Sequence, residues 1–219
     1  MPCHSPLLLL APRGVAAFNI GASTVHSKLK IPIRNFSELE GTRLTSFQEE
    51  MSHIKYILID EMSFIGQNML ESINSRLRQA LPQSANMRFA GISMILVGDL
   101  GQLLPVNDTP AYDSNKRAKL LWEEFKTMIT LDKLFRQDGE NIQQQRFRQL
   151  LTNLRDTNPK SDDWKLLMMR TPISLDVASN NDFDNVVHLF STNENVHNHN
   201  KRMLYSLNHP VACNKSKKC

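Results

Sequence analysis

Two adjacent carboxylates, Asp60 and Glu61, follow the apolar run in "YILIDEMS" at residues 56–63. Acids side by side behind a buried strand repel one another unless a cation offsets them, and a divalent metal ion is the simplest such cation. An Asp in that place can hold Mg²⁺, directly or through water. A Glu beside it can polarise water for attack on a phosphoryl group. The plain alternative is that both acids cap a helix starting near Ser63, and the dipeptide alone leaves the two readings level.

Two further segments could converge on the same chemistry. In "ISMILVGDLGQLLPV" (92–106) an apolar run ends at Gly98 and Asp99, with Gln102 three residues on. Gly98 permits a tight exit from a strand, and the Gln102 amide can donate to a phosphate oxygen or orient water. The bland reading is a turn. In "ITLDKLFRQDGE" (129–140) Arg136 follows another apolar run, where a guanidinium could reach a terminal phosphate as a bidentate donor. An isolated FRQ reads better as a surface arginine.

Such groups converge only if the strands that carry them end at one sheet edge. Five apolar runs are expected strands: Leu7–Leu10, Tyr56–Ile59, Ile92–Val97, Met128–Leu131 and Val186–Phe190. Their continuous apolar character suits strands buried on both faces of a parallel sheet, in which ligands sit beyond the carboxyl ends. Helical patterns lie between them. Ile65, Met69, Ile73 and Leu77 share a face that Pro82 stops, and Ile142, Phe147, Leu150, Leu151 and Leu154 form a stripe over 141–155. Ser161 opens another helix, with Asp162 and Asp163 at the positive end of its dipole. The alternation predicts an α/β layered fold. Residues 34–50 are polar and expected to form a surface excursion. The linker at 156–161 divides the chain into a domain over 1–158 and the opening strand-helix unit of another over 159–219.

Composition sets outer bounds. With 219 residues and 41% hydrophobic content the chain can build a core. A net charge of +4 is compatible with a polyanionic partner without demanding one. Cys3, Cys213 and Cys219 sit at the ends without CxxC spacing, so neither a disulfide framework nor a zinc site is indicated. His197 and His199 are two apart, the wrong spacing for a helical metal pair. No stretch approaches the roughly 20 apolar residues of a membrane span.

At this point four segments resemble a family. "APRGVAAFNIGASTVHS", "LIDEMS", "GDLGQLLPV" and "LFRQ" stand in the order and approximate spacing of helicase motifs Ia, II, III and IV. They resemble the superfamily-one 5′→3′ DNA helicases of the PIF type, including the helicase domains of Helitron transposons. "LFSTNENVHNHNKRML" resembles the opening of that family's second RecA-like domain, so the resemblance spans residues 7 to about 207. It implies a RecA-like parallel sheet flanked by helices, with ATP as substrate and Mg²⁺ held by Asp60. It further implies that Glu61 activates the hydrolytic water, that Gln102 senses the γ-phosphate and that Arg136 contacts it. Pro12, Arg13, Gly14, Thr24 and His26 would line the single-stranded DNA track; a buried, helix-capping role for His26 weighs equally. Implied partners are single-stranded DNA and DNA junctions, met by a monomer in the nucleus or mitochondrion during replication, repair, recombination or telomere maintenance.

One departure from the family pattern dominates. No G-x-x-x-x-G-K-[ST], and no Gly-Lys dipeptide at all, occurs in the 219 residues. That loop supplies the backbone cradle, the phosphate-binding lysine and the metal-binding hydroxyl. Motifs V and VI are absent too, Arg13 stands where the family has Thr, and "QLLPV" replaces "QLPPV". The expectation is a helicase fragment that is inactive alone. The competing expectation is a non-catalytic module that binds single-stranded DNA or a partner protein.

Overall fold

The computed structural model describes residues 5–113, 119–133, 135, 141–171, 174, 186–207 and 209. The chain separates into two compact units, Met1–Gln144 and Gln145–Cys219. That division falls within the helix Ile142–Arg155.

The first unit is built on a sheet of four parallel strands in the order β2-β1-β3-β4. They are β1 (Leu7–Ala11), β2 (Ser23–Thr24), β3 (Tyr56–Ile59) and β4 (Ser93–Leu96). Helices α1 (Gly14–Asn19), α2 (Val25–Lys28), α3 (Gly41–Met51), α4 (Gln67–Ala80) and α5 (Lys119–Trp122) connect or follow them. The expected α/β parallel architecture is what forms. β1 pairs β3 from Leu7↔Tyr56 to Leu10↔Ile59, and β3 pairs β4 from Tyr56↔Ser93 to Ile59↔Leu96.

Because side chains alternate along a strand, that register puts Leu8, Leu10, Ile57, Ile59, Met94 and Leu96 on one face. This face joins a core with Phe47 and Met51 of α3 and Leu70, Ile73 and Leu77 of α4. Full burial of each large apolar side chain is worth about 1.5–3 kcal/mol. The other face departs from the expectation of burial on both sides: Leu7, Tyr56, Ile95 and Val97 remain 39–48% exposed.

Two of the five expected strands do not form. Met128, Ile129 and Leu131 are 82–88% exposed and in no strand, and Val186–Phe190 is likewise outside any strand, with Leu189 94% exposed. An apolar run becomes a strand only when another strand takes its backbone N–H and C=O groups, and sequence alone does not supply that neighbour. The 34–50 segment differs in the opposite sense. Its second half is α3, because Leu44, Phe47 and Met51 fall at helical spacing and Phe47 and Met51 are fully buried. Lys28 and Lys30 both pair with Glu50, tying α3 to the end of α2. Against the opposing pull of burial, the Lys28 hydrogen bond and both positive charges hold the Glu50 carboxyl below its ordinary pKa.

The second unit contains most of α6 (Ile142–Arg155), followed by α7 (Ser161–Met168) and α8 (Asn193–Ser206). Asp163 closes the first turn of α7 by accepting from the Lys160 backbone N–H at 2.8 Å and from Asn153 Nδ2 at 2.7 Å. Thr192 caps α8 by accepting from the Asn195 N–H.

Candidate functional site

The carboxyl ends of β1, β3 and β4 lie at one edge, and the backbone there is tightly knit. The Asp60 N–H donates to the Leu10 carbonyl at 2.9 Å, which puts the acid beside the exit of β1. The Met62 N–H donates to the Val97 carbonyl at 2.9 Å, which draws the turn after Glu61 against the exit of β4. Gly98 allows that approach. A Cβ there would fall 2.8 Å from the Met62 backbone nitrogen, and its φ of +152° suits glycine.

Asp60 and Glu61 are both half-buried, and among the described residues neither carboxylate has a hydrogen-bond or ion-pair partner. Glu61 also adopts the left-handed conformation, φ 55° and ψ 48°, which costs a residue with a Cβ roughly 1–2 kcal/mol. A short 3-10 turn, Met62–Phe64, does start where the capping alternative put a helix, with Glu61 at its N-cap position, but the Glu61 side chain makes no cap hydrogen bond. Helix α4 begins only at Gln67, with Gly66 at its N-cap. Asp108 caps it instead, accepting from the Asn68 and Met69 N–H groups at 3.2 and 3.3 Å and from its own neighbour Thr109 at 2.8 Å. The acids are therefore left uncommitted at a strand edge, with the Ser63 hydroxyl close by in sequence, buried and without a hydrogen-bond partner.

That donor set fits a hard divalent cation. Mg²⁺ takes oxygen ligands, often one or two carboxylates, and completes its shell with water and phosphate. Among the described residues no group of three or more His, Cys, Asp or Glu side chains could hold a metal alone, so the fit is to a shared site and not to a closed cage. Ser63 went unnoticed in the sequence, because its burial depends on the turn at 62–64 and no local pattern signals it.

Gln102 is exposed on the turn that follows β4, its N–H bonded to the Asp99 carbonyl at 3.1 Å, and among the described residues its side-chain amide has no partner. The far end of this loop is strapped to α4. The Gln67 N–H donates to the Thr109 carbonyl at 2.8 Å, and Gln67 Nε2 donates to the Asp113 carbonyl at 2.7 Å. Arg136 lies outside the described residues. Two concavities, of about 300 and 220 Å³, are lined by residues of α4, the 88–94 segment and 120–125, not by the acids or Gln102. Neither reaches the strand-end acids, and the open strand edge that carries those acids is the candidate site.

The segment Pro12–Ser27 shares the edge. Thr24 pairs with Ala11 in the β1–β2 register, so α2 starts level with the exit of β1. Pro12 is half-buried and Gly14 exposed, with nothing within 4 Å of the place a Cβ would occupy. Thr24 Oγ1 caps α2 by accepting from the Ser27 N–H at 3.2 Å. His26 is half-buried, and its Nδ1 lies 3.0 Å from the Ile31 carbonyl, which gives it a local structural role and leaves Nε2 for another partner. Arg13 is exposed; its guanidinium lies 4.9 Å from the centre of the Phe64 ring and, among the described residues, makes no ion pair.

A sequence model of the PIF1-like helicase family matches residues 4–164. The chain belongs to that family. It is 29% identical to the ATP-dependent DNA helicase PIF1 of Candida albicans over 178 residues, 69% of this chain and 18% of that protein. With the ATP-dependent DNA helicase Pif1 of Campylobacter jejuni it shares 32% identity over 108 residues, 45% of this chain and 22% of that one. The chain thus spans about a fifth of the length of these relatives. Among solved structures, the Pif1 helicase of Candida albicans superposes with a TM-score of 0.68 at 27% identity, over 91% of this chain and 44% of that one. A Bacteroides Pif1 helicase in complex with ADP-AlF₃ and single-stranded DNA shares the fold, with a TM-score of 0.62 at 24% identity, over 91% and 47%. The sheet is accordingly of the RecA-like kind found in these helicases.

Proposed function

We propose that this chain is part of an ATP-dependent 5′→3′ DNA helicase and carries half of its nucleotide site together with one wall of its single-stranded DNA track. The observation that carries this reading is the pair of half-buried, partnerless carboxylates at the carboxyl edge of a parallel sheet, in a chain of the PIF1-like family. Mg²⁺, when bound with ATP, neutralises charge on the phosphates. Asp60 would hold that ion, and Glu61 would accept the proton of the attacking water. Gln102 senses the terminal phosphate through its free amide. Arg136 contacts the same phosphate, a role resting on the family pattern alone.

Pro12, Arg13, Gly14, Thr24 and His26 line the DNA. Arg13 supplies the charge, the open space at Gly14 allows a backbone to approach, and His26 offers Nε2. The first RecA-like domain is assigned to 1–158, without its phosphate loop, and the start of the second to 159–219. The partners are single-stranded DNA and junctions, engaged by a monomer in the nucleus or mitochondrion during repair, recombination or telomere maintenance.

The 219 residues hold no Gly-Lys phosphate loop, so on their own they bind single-stranded DNA and do not turn over ATP. Phosphate release with a single-stranded oligonucleotide tests this, measured beside binding at about 50 mM salt. Binding with background release, equal in Glu61→Gln, is expected. DNA-stimulated release that disappears in Glu61→Gln overturns the inactivity of these residues, and no binding at low salt overturns the DNA assignment.

A further inference from the structure

Helix α1 presents an outer side that a solvated helix should not have. Val15 and Phe18 are three residues apart, hence neighbours on one side of the helix, and they are 76% and 85% exposed. Ala17, by contrast, is buried. A surface helix ordinarily turns polar residues to water. Among the described residues Phe18 makes no ring contact, and it is one of the most exposed large apolar side chains of the unit.

Arg13 stands at the N-cap of the same helix, its guanidinium over the Phe64 ring and, among the described residues, in no ion pair. Five residues along an α-helix is an axial rise of about 7.5 Å. A cation and an exposed aromatic face on one short segment are the two elements that grip single strands: the cation takes a phosphate and the ring stacks on a base. The chain turns back sharply after Phe18, whose carbonyl accepts from the Gly21 N–H at 3.1 Å. No bulky loop therefore intervenes between the ring and β2, where Thr24 stands.

We propose that Phe18 is a base-stacking platform, a DNA-contact residue beyond those assigned above, with a nucleobase of single-stranded DNA as its occupant. The inference rests on the DNA reading of the Pro12–Ser27 segment. Stacking contributes regardless of base identity, because every base has a π-face, so Phe18 adds affinity without sequence preference. It also adds affinity that salt does not screen, in contrast to Arg13, whose phosphate contact releases counterions.

The test is fluorescence anisotropy of a labelled oligothymidine with the full chain over a salt series, for the unaltered protein, F18A, F18W and R13A. F18A is expected to weaken binding about 5- to 100-fold at every salt concentration, with an unchanged slope of log Kd against log salt. F18W restores the affinity, and its emission falls on DNA binding by more than that of the unaltered chain. R13A instead flattens the slope by about 0.7. Phe18 is so exposed that F18A leaves the fold intact, and an unchanged unfolding midpoint checks this. Unaltered affinity in F18A overturns the proposal, as does a loss that F18W fails to restore. Self-association that F18A abolishes while DNA binding persists assigns the face to a second copy and also overturns it. Absence of binding by the unaltered chain overturns the DNA reading itself and is distinguished by that.

Discussion

Arg13 lies over the face of Phe64, 4.9 Å from the ring centre, and so joins the segment leaving β1 to the turn that follows Asp60 and Glu61. One side chain thereby links the proposed DNA track to the proposed nucleotide edge. Removing the ring with Phe64→Leu deprives Arg13 of a contact worth about 0.5–1 kcal/mol and frees its guanidinium. The expected result is weaker single-stranded DNA binding, by about 2- to 5-fold, with the salt slope kept, because the charge remains while its placement is lost. Arg13→Lys, with no planar guanidinium to stack, should behave similarly.

Gly98→Ala tests the close approach of the two strand exits. The added methyl meets the Met62 backbone at 2.8 Å, and φ +152° strains any residue with a Cβ. A loss of more than about 1 kcal/mol is expected in urea unfolding. Gly14→Ala, with nothing within 4 Å of the new methyl, should change the same midpoint by no more than about 0.5 kcal/mol.

Asp108→Ala uncovers the start of α4. The carboxylate accepts from two of that helix's first N–H groups and from Asn68 Nδ2 at 3.0 Å. Loss of such a cap costs about 1–2 kcal/mol, and Asp108→Asn should recover part of it by retaining one acceptor oxygen. Thermal unfolding of the three proteins orders them: unaltered, Asn, Ala.

Arg76 is fully buried and donates to the carbonyls of Lys30 and Ser37 at 3.1 and 2.7 Å and to Gln79 Oε1 at 2.5 Å, while Phe36 lies 4.7 Å from its guanidinium. Arg76→Met leaves those acceptors without their donor and should cost about 3 kcal/mol. Amide exchange would show the loss first in the 30–39 segment that the arginine pins to α4.

Asp163 predicts an acid-side weakness in the second unit. Bonds from the Lys160 N–H and from Asn153 hold its carboxyl below the ordinary value of 3.8, burial opposing them. The folded state therefore binds this proton less tightly than the unfolded chain does. The stabilisation is fully present above 3.8 and is lost as pH falls through the depressed folded value. In Asp163→Asn this part of the pH dependence disappears, as unfolding followed by circular dichroism across that range would show.

The sequence by itself determined the chemistry-bearing strand ends. Three apolar runs of the right length became β1, β3 and β4, and Asp60, Gly98 and Pro12 came at their carboxyl ends, since residue type and short-range spacing govern where a strand stops. Of the expected helical stripe, Ile73 and Leu77 are buried in α4 and Met69 packs partly buried against the core, while Ile65 precedes the helix and Leu70 takes the remaining core position. Tertiary structure alone decided the rest. The run at 128–131 is as apolar as that at 56–59 yet has no partner strand, and the cap of α4 comes from Asp108, 40 residues from the Asn68 it bonds. Thr24 and His26, expected on the DNA track, hold α2 and its exit together. Hydrogen-bond partners are chosen by what folding brings within about 3 Å, and no periodicity in a linear chain encodes that choice. Among the described residues the fold leaves the Asp60 and Glu61 carboxylates without a partner, which is what the proposed cation site requires.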